Sequence, residues 1–226
     1  MPRARDIRFD SGTSKGEVSG LLWLPDDATS LYVLAHGAGA DMRHAFMEDV
    51  ARALAGRGVA TLRYQFPYTE EGRKAPDPAG RLMKTVRAAV EQAASLAPGL
   101  PLFAGGKSMG GRMTSQAQAQ EALPAVRGLI FLGFPLHAPG RQGTERADHL
   151  TDADVPMLFL QGTRDKLAEI GRMRSVVEDL GERATLMVVE EGDHSFAVPK
   201  RTGRSREDVI ADLADRAAAW VGEVVG

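Results

Sequence analysis

Short, nearly all-apolar runs alternate along the chain with longer stretches in which apolar residues recur every three or four positions. The runs are Leu31–Ala35, Val59–Leu62, Leu102–Ala104, Leu129–Leu132, Met157–Leu160 and Thr185–Val189. Runs of this length without polar alternation predict strands buried on both faces, as in a parallel sheet. Val18–Leu24 stops at Pro25 and reads as an earlier strand near a sheet edge. Helical faces lie between the runs. Phe46, Met47, Val50 and Leu54 mark one; Leu82, Val86, Val90, Ala93 and Ala97 mark a second; Leu167, Ile170, Met173, Val176, Val177 and Leu180 mark a third. Another helical stretch begins near Met109. The last helix carries Ile210, Leu213, Ala217, Trp220 and Val221, with Ser205 as its expected N-cap and Glu207 and Asp208 in its first turn.

Repeated strand–helix units predict a single α/β domain over residues 1–226, a three-layer α/β/α sandwich around a mostly parallel central sheet. The chain has no internal repeat and no linker-like stretch. Two segments lack periodicity, residues 67–80 and 134–154, both interrupted by proline and glycine. Each follows the C-terminal end of a predicted strand, the edge where open α/β sheets bind ligands. Both are therefore expected to be loops over a site.

Composition narrows the function classes. The 226 residues are 43% hydrophobic and 26% charged, ordinary values for a globular protein, and the formal charge is −2. No global field draws such a chain to nucleic acid or an anionic membrane, and neither partner is expected. No run approaches the roughly 18 apolar residues of a membrane span. With no cysteine, disulfides, thiolate metal sites and a cysteine nucleophile are excluded, and the composition suits a reducing cytoplasm. The basic residues of Met1–Arg8 precede no apolar stretch, so no signal peptide is expected there. Neither an H-x-x-x-H pattern nor a carboxylate cluster suggests a metal, and no cofactor is expected.

The chemistry concentrates at Gly106-Lys107-Ser108-Met109-Gly110, a G-x-S-x-G motif between an apolar run and a helical stretch. A serine at the tip of a strained strand-to-helix turn requires neighbours almost without side chains two residues before and after it. Gly106 and Gly110 meet that need, and Gly111 adds room. The same residues also resemble the tail of a phosphate-binding loop, G-x-x-x-x-G-K-[ST], but that motif needs glycine at 101, where Pro101 stands. A nucleophilic serine needs a base and a carboxylate to orient it. Asp165 follows the run Met157–Leu160, and His194 follows Thr185–Val189, in the order Ser, Asp, His. Ser108, Asp165 and His194 are thus the expected triad. Asp165 is also placed to cap a helix beginning at Lys166 or Leu167. Asp193 competes as orienter, but adjacent side chains rarely point at each other.

His36-Gly37-Ala38-Gly39 resembles an oxyanion loop of the H-G-G-G type, with small residues that let backbone N–H groups approach a substrate. The N–H groups of Ala38 and Met109 are the expected oxyanion donors, and His36 itself is expected to be a buried structural residue. His44 follows this loop and is a candidate for substrate binding. Arg43, Arg63, Arg73 and Arg112 are candidates to bind an acidic substrate group, Arg112 first among them. His137 and His149 read as plain loop residues.

With these residues in hand, the chain resembles the α/β-hydrolase superfamily over almost its whole length. It is more closely similar to small dienelactone-hydrolase-like proteins, in the bacterial branch of a family that includes testis-expressed hydrolase-like proteins and a subunit of a histone-acetyltransferase complex. The closer match rests on His36–His44, Arg63–Pro67 and Gly105–Arg112. The resemblance implies little or no cap domain and a triad of Ser108, Asp165 and His194. Dienelactone hydrolases use a cysteine nucleophile where this chain has Ser108, which points to ordinary ester chemistry. The expected function is a serine hydrolase acting on small carboxylester or thioester substrates. A non-catalytic interaction module on the same fold and an acyltransferase or thioesterase with the same triad stay open.

Overall fold

The computed structural model describes residues 4–226; Met1–Arg3, the start of the basic N-terminal stretch, lie outside the described residues. Eight strands form one open sheet: β1 (Arg5–Asp10), β2 (Glu17–Trp23), β3 (Ser30–Ala35), β4 (Val59–Tyr64), β5 (Leu102–Lys107), β6 (Val126–Leu132), β7 (Met157–Gly162) and β8 (Ala184–Val189). Six helices accompany them: α1 (Ala45–Ala55), the short α2 (Pro67–Glu70), α3 (Ala79–Leu96), α4 (Met109–Gln120), α5 (Ile170–Leu180) and α6 (Arg206–Val225). The strand order is β1-β2-β4-β3-β5-β6-β7-β8. β1 and β2 are antiparallel to their neighbours, and every pairing from β4 to β8 is parallel. β1 has no counterpart among the apolar runs, because Arg5, Asp6 and Arg8 make this edge strand polar.

Alternation along the central strands divides the core into two layers. Leu31, Val33, Leu102, Ala104, Leu129, Phe131, Met157 and Phe159 face the layer built with α3, α4 and α5. Tyr32, Leu34, Phe103, Ile130, Leu132, Leu158 and Leu160 face the layer built with α1 and α6. Because both faces are covered, successive residues must all be apolar, which is why the sequence shows runs rather than alternation. β8 departs from this expectation. It is the last strand of the sheet, and Ala184–Val188 are only half-buried.

The third helix also begins later than the Lys166 or Leu167 start that its apolar spacing suggests. The Leu167 carbonyl accepts the backbone N–H of Leu136 at 2.8 Å and of His137 at 3.4 Å. That carbonyl is committed to the segment after β6, so Leu167 stays outside the helix and α5 starts at Ile170. Segment 67–80 is more ordered than an open loop. It contains α2, and the buried Asp77 carboxylate is held by Arg73 at 2.8 Å and Arg81 at 2.7 Å. Segment 134–154 contains one 3-10 turn at Asp148–Asp152.

The start of α6 is fixed as expected. Ser205 Oγ accepts the Asp208 N–H at 3.1 Å, and Asp208 Oδ2 accepts the Ser205 N–H at 2.8 Å. This reciprocal cap satisfies two N–H groups that the helix cannot. Ser205→Ala is expected to cost about 1 kcal/mol, a drop of roughly 2–4 °C in melting temperature for a domain of this size. Differential scanning calorimetry of the variant checks this; an unchanged melting temperature would show that the cap is idle.

Candidate active site

The elbow forms where β5 ends. Ser108 has φ 51° and ψ −114°, a conformation that side chains other than glycine rarely adopt. The turn survives because its surroundings leave no alternative. A Cβ on Gly106 would collide with the Ala35 carbonyl, and one on Gly110 would lie 2.6 Å from the carbonyls of Ala35 and His36. The first turn of α4 is thereby pressed against the C-terminal end of β3. Met109 sends its side chain into the core, while its backbone N–H belongs to the helix N-terminus, where no intrahelical acceptor exists.

Three strand ends bring the expected triad together. Ser108 Oγ lies 2.9 Å from His194 Nε2, and His194 Nδ1 lies 2.7 Å from Asp165 Oδ2. The Asp165 side chain is fully buried, whereas His194 is 27% exposed and reachable from the cleft. Asp165 is further tied down by Gln161, whose Nε2 donates to Oδ2 at 2.6 Å, and by the Leu167 N–H, which donates to Oδ1 at 2.8 Å. Asp165 therefore caps a turn and orients His194 with the same carboxylate. Asp193 is not the orienter. Its Oδ1 accepts the N–H groups of Ser195 and Ala197 at 2.8 and 2.9 Å and shapes the histidine loop.

The cleft at Ser108 has a volume of about 230 Å³ and is walled by residues 37–40, 44, 46 and 47 on one side and by His194, Ser195 and Arg206 on the other. Ala38 and His44 both lie on this lining. His44 also caps α1, its Nδ1 accepting the Phe46 N–H at 3.3 Å. None of the lining residues comes from 67–80 or 134–154, so the expectation that these segments lie over the site does not hold for this cleft. Arg112 is not on the lining either. One helical turn beyond Ser108, it lies near Arg146, and burial together with that second guanidinium lowers its pKa. Of the other arginines, Arg43 pairs with Asp6, Arg73 with Glu71 and Asp77, and the buried Arg63 donates to the Met42 carbonyl at 2.9 Å. These contacts hold the scaffold rather than facing the cleft.

His36 is the buried structural residue that its position suggests. Its Nε2 accepts the Phe66 N–H at 3.3 Å, so Nδ1 carries the proton and donates to the Gly37 carbonyl at 2.9 Å. Burial holds its pKa down, to about 4, which keeps the ring neutral and the loop clamped. His137 and His149 are not plain loop residues. His137 is buried, and His149 Nε2 sits 2.8 Å from Ser115 Oγ. This second Ser–His contact is no copy of the first, since the Ser115 hydroxyl also donates to the Arg112 carbonyl at 3.0 Å. Among the described residues, no group of three histidine or carboxylate side chains is placed to hold a metal ion.

Lys107, inside the elbow motif, is legible in the sequence only as a variable position. Its ammonium donates to the His194 carbonyl at 2.6 Å and lies 5.6 Å from the centre of the Phe196 ring. The Ser108 turn and the histidine loop are thereby joined by one side chain. Burial lowers the Lys107 pKa from 10.5 to about 8, against the opposing attraction of Asp165 and Asp193. Between those two values the unfolded chain binds more protons than the folded one, so this group adds stability as pH rises from about 8 toward 10.5. Urea unfolding at about pH 8 and about pH 10 is expected to show the wild type gaining on Lys107→Met over that interval. Equal changes in the two proteins would mean that the ammonium is not held in a buried site.

The chain matches the family model described as alpha/beta hydrolase domain over residues 28–222. Its structure is similar to that of a dienelactone hydrolase from Anabaena variabilis, at 21% identity and a TM-score of 0.77, covering 98% of this chain and 99% of that one. It is also similar to an α/β serine hydrolase without lid from Xanthomonas campestris, at 21% identity and a TM-score of 0.74, covering 97% and 96% of the two chains. A third similar structure is Est1E from Butyrivibrio proteoclasticus, at 15% identity and a TM-score of 0.73, covering 99% of each. A strained serine at a strand-to-helix turn, a three-layer sandwich and a family match over most of its length lead to one conclusion: the chain belongs to the alpha/beta hydrolase domain family, and is a hydrolase by that membership.

Proposed function

We propose that the protein is a serine hydrolase that cleaves small carboxylesters or thioesters through an acyl-enzyme on Ser108. The observation that carries this reading is the unbroken hydrogen-bonded chain from Ser108 Oγ through His194 to the buried Asp165 carboxylate. His194 Nε2 takes the hydroxyl proton as Oγ attacks the ester carbonyl carbon. Nδ1–H stays on the imidazole and donates to Asp165 Oδ2, which fixes the tautomer and stabilises the imidazolium. The carbonyl oxygen becomes negative and is received by the N–H groups of Ala38 and Met109, one from each side of the elbow. The imidazolium then protonates the departing alcohol or thiol. Water, deprotonated by the same ring, attacks the acyl-enzyme, and the imidazolium returns the proton to Ser108 Oγ as the bond to it breaks and the acid leaves.

The low dielectric around a fully buried Asp165 strengthens its hold on His194, and Gln161 and Leu167 supply two further hydrogen bonds to the carboxylate. No helix among the described residues is long and apolar enough to cross a membrane. A cysteine-free chain accords with a reducing cytoplasm as its setting.

A fluorophosphonate probe is expected to label the wild type at Ser108 and to leave Ser108→Ala unlabelled. Turnover of p-nitrophenyl acetate is expected to fall by about 10⁴-fold or more in that variant. A wild type that neither takes the probe nor turns over any ester would overturn the proposal.

A further inference from the structure

The cleft at Ser108 is small. About 230 Å³ is below the roughly 300 Å³ at which small-molecule sites usually begin. Beside it lies a second cavity of about 190 Å³, and Phe46, Ser195 and Arg206 line both. We infer that the two are one site, and that the second chamber takes the apolar chain of an ester whose carbonyl sits at Ser108. The inference rests on the hydrolase reading above and adds a substrate class to it, esters with an extended apolar chain.

The chamber's chemistry selects that occupant. Its inner wall is Phe196, Val198, Val209 and Ile210. Its two guanidinium groups are already matched: Arg206 donates from Nε and Nη2 to Asp49 at 3.1 and 2.8 Å, and Arg204 donates to Asp212 at 2.9 Å. Each guanidinium is charge-balanced by its carboxylate, so an anionic tail finds no unmatched positive charge here, whereas an apolar chain finds an apolar wall. The fold also keeps an unfavourable conformation here. Phe196 has φ 61°, costly for a bulky residue, and this sets its ring in a stack on Phe46, 5.8 Å between centres and 7° from parallel. Phe46 lines both chambers, and Phe196, stacked on it, lines the second. The histidine loop that carries Phe196 also carries His194, so the same loop positions the base and one wall of the chamber.

Two ester series test this: p-nitrophenyl acetate, butyrate, hexanoate and octanoate, and the acetates of the matching alkanols. Wild-type kcat/KM is expected to climb in one series by up to about 4-fold per added methylene, the gain from burying each one. Ala197→Trp and Val198→Trp, at chamber-lining positions outside the buried core, are expected to lower the octanoate-to-acetate ratio, or its alkanol equivalent, at least tenfold. Fluorophosphonate labelling of each variant checks that the elbow is intact, and either variant suffices if the other fails to fold. Acetate turnover with a flat chain profile in both series would overturn the chamber and leave the hydrolase reading standing. A rise that neither variant reduces would place the chain elsewhere and overturn it too. If no ester is cleaved and no probe is taken, both readings fall together.

Discussion

The site hangs on a backbone that is held where it does not want to be. A non-glycine residue at φ 51° would relax if it could, and Ser108 cannot, because β5 arrives from one side and α4 departs from the other against neighbours at van der Waals limits. Gly106 and Gly110 are small so that the turn can pass under the end of β3, and the result is a hydroxyl lifted clear of the sheet. The strain belongs to the scaffold and not to the serine, since the packing of β3, β5 and α4 pins the turn.

The same packing decides who meets Ser108. Parallel strands deliver all their C-terminal ends to one edge, so residues 57 and 86 positions away in the sequence need only follow strands of the same parallel set to converge. Asp165 follows β7 and His194 follows β8, and each is anchored by its own turn before it touches the other. The distances of 2.9 and 2.7 Å thus arise from three mutually braced loops, those after β7 and β8 being joined by the Arg164 N–H to the Gly192 carbonyl and the Glu191 N–H to Thr163 Oγ1, each at 2.8 Å. Lys107 couples two of them, since it grows from the elbow and ends on the His194 carbonyl. The partly buried Lys107 ammonium, on the cleft lining, lends the site a local positive charge, and desolvation lowers its pKa.

Much of this is legible in the sequence, and for identifiable reasons. Apolar runs mark strands covered on both faces because no water-facing side exists to demand polarity, so β3 to β7 stand out. β1 and β8 sit at the edges, where that logic relaxes: β1 gives no apolar signal, and β8 is less buried than its run implies. The hydrogen-bonded cluster of Ser108, His194 and Asp165 is legible because each is a residue of distinctive chemistry placed just past a strand end. Gln161 is not, because an amide inside an apolar strand gives no sign of which carboxylate it will reach.

The sequence by itself determined the fold class, the glycine-flanked elbow and the order in which Ser108, Asp165 and His194 follow their strands, because these are properties of periodicity and local sterics. Tertiary structure alone decided which loops wall the cleft. Periodicity cannot tell where an irregular segment goes, and the segments 67–80 and 134–154 are tied elsewhere, through Asp77 and its two arginines and through the Leu167 carbonyl. It also decided the fate of Arg112, one helical turn from Ser108 yet off the cleft lining, because the direction of a side chain at a helix start depends on which neighbouring elements fill the space around it.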